Sequence, residues 1–270
     1  MLTVGSLFSG IGGFELGLER TGGFKTAWQC EKDEFCLKVL AKHWPDVKRF
    51  TDIKEMGIEE NIPYVDVICG GFPCQDISYA GKGAGIHAER SGLWWEMLRI
   101  VRLVRPRYVL VENVAALLNM GLDEVLGSLA EIGYDAEWSC LRASDFGAPH
   151  RRERIFIVAN TKSRKMQHIR KSSSISACSG RYNPDVPDTE SPRLEISTVQ
   201  EPRLSGLSRL KCGRIFTGKP AGDWPIESGF CRMVNGVPHR VDRLRALGNA
   251  IVPQCSEYVG RCILEAEAQQ

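Results

Sequence analysis

The chain has 270 residues, 43% of them hydrophobic and 25% charged, with a formal net charge of only +2. That balance excludes a low-complexity or fibrous chain and allows one main domain with a smaller appendage. No apolar stretch reaches the roughly 18 residues of a membrane span, and the N-terminus enters a strand pattern without a basic leader, so an intracellular, cytoplasmic protein is expected.

Leu2 to Phe8 reads as a short apolar strand, after which Ser9-Gly10-Ile11-Gly12-Gly13 turns the chain into a helical pattern with Phe14, Leu16 and Leu18 apolar. Such a turn offers backbone N–H groups and a helix N-terminus to a ligand. A dinucleotide fingerprint would need glycine where Glu15 stands, which disfavours NAD.

Phe24 to Cys30 reads as the second strand and ends in Glu31. The interval from the glycine turn is about the 20 residues expected for a carboxylate that binds ribose hydroxyls. An acid before a helix would equally complement the helix dipole. Asp52-Ile53, after another extended stretch, is as ambiguous: Asp52 could accept from an adenine amino group or cap the next turn.

Tyr64 to Cys69 is the expected central strand, and it delivers Gly70-Gly71-Phe72-Pro73-Cys74-Gln75 to the sheet edge where ligands of open α/β folds collect. Cys74 is therefore the candidate nucleophile. Its glycine neighbours let backbone approach a ligand, Pro73 fixes the direction of the chain, and a glycine-containing loop over 76–92 would serve as a lid. A free cysteine can also be a small core residue. The ten cysteines include no C-x-x-C pair, so neither a disulfide framework nor a metal site is expected.

Leu93 to Val104 has the spacing of a helix with Leu93, Met97, Ile100, Val101 and Val104 in the core, ended by Pro106. Arg107 to Val111 is the next buried strand, and it brings Glu112-Asn113 to the edge that carries Cys74. Glu112 is either a helix cap or, with a pKa raised by partial burial, a proton donor. Gly121 to Ile132 reads as a helix and Tyr134 to Leu141 as a strand. Arg151-Arg152-Glu153-Arg154 then introduces the apolar Ile155 to Ala159. In an extended segment Arg152 and Arg154 would share a side, facing solvent or a phosphate or base edge.

Charge is uneven along the chain. Residues 1–161 carry 18 basic and 22 acidic side chains, residues 162–219 carry 12 and 5, and residues 220–270 carry 5 and 6. The basic segment suits either a solvated face or a polyanionic partner. Between Ser163 and Ile215 only 15 of 53 residues are apolar, too few for a core, which suggests a small recognition module or a long insertion. Cohesion returns at Trp224-Pro225, and Arg243 to Ala250 leads into a final helix from Ile251 to Glu265.

The ordered set Phe8-Ser9-Gly10-Ile11-Gly12-Gly13-Phe14, Pro73-Cys74-Gln75, Glu112-Asn113-Val114, Arg152-Glu153-Arg154 and Gly248-Asn249-Ala250 resembles the cytosine-C5 DNA methyltransferases of restriction-modification or phage type. The resemblance implies an α/β fold, a doubly wound Rossmann-like sheet with a small, irregular target recognition region. Residues 1–160 would form the catalytic and cofactor-binding domain, 161–238 the target recognition region, and 239–270 a segment returning to the catalytic domain. It implies S-adenosyl-L-methionine as cofactor, with Phe8, Gly10, Ile11 and Gly13 around its methionine and adenine portions. Glu31 would lie on the ribose, Asp52 and Ile53 at adenine, Pro73 and Leu93 beside them, and Asn249 would close the pocket.

It further implies double-stranded DNA as substrate, a flipped cytosine, Cys74 as nucleophile, Glu112 as proton donor, Arg154 on the base O2 and Arg152 as brace. A monomer is expected, with any cognate restriction endonuclease a functional rather than a physical partner. His150 stands where many members of the family have glutamine. Two other readings are a DNA-binding protein of this fold with little turnover and an RNA cytosine-C5 methyltransferase.

Overall fold

The computed structural model describes residues 1–58, 60–73, 92–161 and 239–269. Five strands lie parallel: β1 (Leu2–Leu7), β2 (Phe24–Cys30), β3 (Lys48–Phe50), β4 (Val67–Gly70) and β5 (Tyr108–Val114). β6 (Tyr134–Arg142) and β7 (Glu153–Thr161) complete the sheet antiparallel, in the order β3-β2-β1-β4-β5-β7-β6. The strand order reverses direction between β1 and β4, which opens a crevice beyond their carboxyl ends. This is the doubly wound, Rossmann-like arrangement expected from the sequence.

The helices are α1 (Gly13–Arg20), α2 (Glu34–His43), α3 (Leu93–Val104), α4 (Leu122–Glu131), α5 (Arg240–Asn249) and α6 (Pro253–Ala268). Side chains alternate between the faces of the central strands. Ile68, Val109 and Val111 pack with Met97 and Val101 of α3 and Val125 and Leu129 of α4. Val67, Cys69 and Leu110 pack on the other face with Phe14 and Leu18 of α1 and Val259 and Ile263 of α6. Burial on both faces explains why these strands read as continuous apolar runs.

α6 binds the end of the chain to its beginning. Arg107 Nη2 and Tyr108 Oη each donate to the Glu267 carboxylate, both at 2.6 Å in their closest contacts. At Gly17 a Cβ would collide with Ser256 Oγ and Pro253 O of α6, so the two helices touch there backbone to backbone. Gly17→Ala should therefore destabilise the chain by about 1–3 kcal/mol through overpacking. A melting temperature unchanged by the substitution would show that α6 can move away without loss.

Several boundaries differ from the sequence reading. β4 begins at Val67 rather than Tyr64, which is 59% exposed. Asp66 carboxylate accepts from both Thr3 N and Thr3 Oγ1 at 2.8 Å, and Pro63 O accepts from Trp28 Nε1. The approach to β4 is thus held by side-chain bonds instead of the ladder. Leu16, one of the three apolar residues of the first helical pattern, is 39% exposed. β5 runs on through Val114, so Glu112 and Asn113 lie inside the strand and Glu112 is no helix cap. The segment 240–249 is a helix, and the final helix starts at Pro253, whose fixed φ suits the first turn. Cys74, the expected lid over 76–92 except its last residue, Gly92, and all of the expected recognition region after Thr161 lie outside the described residues.

Candidate active site

Beyond β1 the chain makes a tight turn, with Phe8 at φ 54° and Gly10 at φ 56°. Ser9 N–H donates to Cys30 O at 3.1 Å, tying the turn to β2. Gly10 N–H donates to Glu31 Oε2 at 2.7 Å, while Glu31 Oε1 accepts from Lys32 N and Asp33 N at 2.8 Å. Three backbone donors hold this carboxylate in one orientation. Asp33, not Glu31, is the N-cap of α2, accepting from Cys36 N.

Asp52 accepts from Lys32 Nζ at 2.8 Å and from Lys54 N at 3.0 Å. The Lys32 bond, with the Lys54 backbone bond after it, holds its carboxyl below the usual carboxylate range. Asp52 is thus a local cap and a wall of the crevice at once. Ile53 is buried, and Arg99 Nη2 donates to its carbonyl at 2.6 Å while Nη1 donates to Met56 O at 2.8 Å. Arg99 on α3 fixes the turn that presents Ile53, a role the sequence reading missed because such a long side chain carries no local signal of its target.

Glu112 stands in β5 opposite Phe156 of β7, and Arg154 pairs with Val114 in the same ladder. Arg154 Nε lies 3.2 Å from Glu112 Oε1. Burial pushes the Glu112 carboxyl up to about 7, against the pull of Arg154 and then of Arg152. A Cβ on Gly71 would lie 2.8 Å from Glu112 Oε2. The glycine therefore lets the carboxyl stand directly against the segment that leads to Cys74. Asn113 Nδ2 donates to Phe72 O at 3.2 Å and fixes the same segment from the other side.

Arg152 departs from the extended pattern, with φ 33°. Its Nη2 donates to Gly248 O at 2.7 Å and to Ala250 O at 2.6 Å. The two arginines consequently have different partners: Arg154 faces Glu112, and Arg152 binds the C-terminal end of α5. Alternation fails as a guide where one residue leaves the extended region.

One cavity of about 640 Å³ gathers Phe8, Gly10, Glu31, Asp52, Ile53, Pro73, Leu93, Glu112, Arg154 and Asn249. The size is that of a typical small-molecule site. Ile11, Gly13 and Arg152 line a separate hollow of about 350 Å³ beside the start of α6. The cavity also takes in Lys32, Asp33, Ala246 and Arg245, none of which was expected there. Arg245 Nη1 lies 3.8 Å from Asp33 Oδ2, which carries α5 over the crevice. The missing signal was α5 itself, whose sequence has few core residues to mark it as a helix.

Chemically, one end of the cavity offers a fixed carboxylate and apolar walls. Its other end offers a carboxyl that keeps a proton near neutral pH beside a guanidinium. Among the described residues no group of three or more His, Cys, Asp or Glu is arranged as a metal site, and no helix is long and apolar enough to cross a membrane.

The family model described as C-5 cytosine-specific DNA methylase matches residues 2–204. The Type II methyltransferase M2.BsuMI of Bacillus subtilis (strain 168) is 38% identical over 167 residues, covering 59% of this chain and 42% of the relative. The Type II methyltransferase M.Bsp6I of Bacillus sp. (strain RFL6) is 37% identical over 166 residues, covering 58% of this chain and 52% of the relative. The chain thus spans about half or less of the length of these relatives. A solved DNMT2 structure from Spodoptera frugiperda is similar in fold, with a TM-score of 0.50 at 21% identity, covering 64% of this chain and 54% of that one.

Proposed function

The chain belongs to the C-5 cytosine-specific DNA methylase family, and from that premise we propose that it methylates C5 of a cytosine in duplex DNA, as a modification enzyme of the Type II restriction-modification kind. The observation that carries this reading is the Glu112–Arg154 pair, a buried carboxyl beside a partly buried guanidinium, which lines the same cavity as the fixed Glu31 carboxylate. One compartment then serves both the base and the methyl donor.

S-adenosyl-L-methionine, when bound, supplies an electrophilic methyl group. The residues present fit it: Glu31 keeps acceptor capacity for ribose hydroxyls beyond its three backbone donors, and Phe8, Ile53, Pro73 and Leu93 give apolar walls. Asp52 would lie at adenine, Gly10 at the methionine portion and Asn249 at the closing edge. Ile11 and Gly13 would act by shaping the turn, since they line the neighbouring hollow.

Cytosine C5 is a poor nucleophile. In the proposed reaction the Cys74 thiolate adds at C6 and moves electron density onto C5. Glu112 gives its proton to N3 as charge develops there, and Arg154 binds O2 while holding the Glu112 carboxyl in place. Arg152 braces the site by fixing Gly248 and Ala250. After methyl transfer, the C5 proton leaves to a base, its bonding electrons re-form the C5–C6 double bond as the C6–S bond breaks and expels Cys74, and the N3 proton returns to Glu112, which restores both the ring and the acid. The base must first leave the duplex, which costs a few kcal/mol that protein contacts offset.

We assign residues 1–160 and 239–270 to the catalytic unit and 161–238 to target recognition. The chain would act as a monomer in the cytoplasm, with a cognate endonuclease as functional partner only. The test is methyl transfer from labelled S-adenosylmethionine to mixed-sequence duplex DNA, read by nucleoside mass spectrometry. 5-Methylcytosine is the expected product. Label on another atom, or on structured RNA but not on DNA, would overturn the assignment.

A further inference from the structure

The proposed reaction makes no use of Glu15, yet its side chain is completely buried on α1, behind the glycine turn. Gln29 Nε2 donates to Glu15 Oε1 at 3.1 Å. Ser6 of β1 stands in register with Gln29 of β2 and with Cys69 of β4. The groups facing Glu15 are therefore the Ser6 and Ser9 hydroxyls, the Gln29 amide and the Cys69 thiol. Burial holds that thiol well above its ordinary range, so it stays neutral.

The Ser6 and Ser9 hydroxyls beside the Glu15 carboxyl only partly offset its burial, and among the described residues Glu15 Oε2 and Gln29 Oε1 have no partner in hydrogen-bond geometry. Both are acceptors if the carboxyl is ionised, and an orphaned buried acceptor is costly. Flipping the Gln29 amide would only turn its oxygen toward Glu15 Oε1. A proton on Glu15 Oε2 creates a donor, and the amide already bonded to the other carboxyl oxygen supplies the acceptor.

We propose that Glu15 is a neutral carboxylic acid paired reciprocally with the Gln29 amide, and that this pair positions the glycine turn and Glu31 for the cofactor. Glu31 fastens the turn to the end of β2 through Gly10 N–H. Glu15 fastens the helix that follows the turn to β2 two residues earlier, at Gln29. Glu15 is thus a positioning residue, and its role rests on the cofactor site proposed above.

Burial raises the Glu15 carboxyl from its ordinary 4.5 to about 7. The folded chain then keeps a proton that the unfolded chain releases between those values, so stability falls as pH rises through that window and levels off above it. Glu15→Gln offers an amide for the same two bonds and does not titrate, whereas Glu15→Ala removes both.

The experiment follows thermal melting without ligand and S-adenosylmethionine affinity by calorimetry, from about pH 5 to pH 8, for wild type and both variants. The melting advantage of Glu15→Gln over wild type should grow with pH, up to on the order of 10²-fold in the folding equilibrium. Wild-type affinity should fall on the order of tenfold over the upper part of the range while Glu15→Gln holds its own. Glu15→Ala should be weak throughout. Because Glu112 titrates in the same region, Glu112→Gln is run in parallel and should keep the wild-type fall.

Parallel wild-type and Glu15→Gln curves in both measurements would overturn the proposal. A melting difference with parallel affinities would leave a structural pair and overturn the positioning role. Absence of cofactor binding at any pH would fail the cofactor reading, while the melting curves would still decide whether Glu15 is neutral.

Discussion

Glu112→Gln should lower methyl transfer by about 10² to 10⁴-fold, the usual contribution of a positioned proton donor. Glutamine keeps the size of the side chain and a hydrogen bond to Arg154 but has no proton to give at N3. Cofactor affinity should change little, because the Glu31 end of the cavity is held by its own backbone donors. The pH profile gives the sharper reading. In the proposed reaction Glu112 acts in its protonated form, and with a carboxyl pushed up to about 7 the fraction in that form falls as pH rises beyond that value. The thiolate requirement works in the opposite direction, since an unperturbed cysteine has a pKa of about 8.5. The wild-type profile is therefore a bell whose limbs belong to the pair of groups. Glu112→Gln should lose the descending limb and keep the ascending one. An unchanged single-turnover rate, or an unchanged descending limb, would reduce Glu112 to a structural partner of Arg154.

The strands were legible because burial on two faces leaves a strong local mark. Phe24 to Cys30 has the same limits in sequence and structure, and α3 runs from Leu93 to Val104 as its periodicity requires. What the sequence hid were contacts made by long or lone side chains. Nothing local announces that Arg99 will reach the carbonyls of Ile53 and Met56, or that Arg152 will leave the extended region to bind Gly248 and Ala250. α5 was missed for a related reason: Val241, Leu244 and Leu247 are exposed, so its apolar residues do not trace a face against the core. Phe8, Gly10, Glu31, Asp52 and Pro73 were legible as cavity residues, since their turns follow strand ends, whereas Lys32, Asp33, Arg245 and Ala246 were not. The division between the cavity and the hollow holding Ile11 and Gly13 was not legible either, because it depends on which way one glycine turn faces.

Cys74→Ser should reduce methyl transfer to background while sparing cofactor and DNA binding. The substitution changes one atom, and it replaces a group that is partly ionised near neutral pH by a hydroxyl that is not. Without the thiolate there is no addition at C6 and hence no electron density at C5 to take the methyl group. Loss of turnover alone could come from many causes, so the decisive measurement is covalent trapping. A duplex with 5-fluorocytosine at the target carries no C5 proton to lose after methylation, and the enzyme stays joined to C6. Wild type should give a denaturant-resistant complex that requires S-adenosylmethionine for its stability, and Cys74→Ser should give none. Among the described residues no other cysteine of the cavity is poised to substitute: Cys30 and Cys36 both line it, but burial before all else, with Glu31 next, pushes each thiol up to about 12. They remain protonated at neutral pH and are poor nucleophiles. A trapped complex that persists in Cys74→Ser would place the attacking atom elsewhere and remove the central step of the proposed reaction.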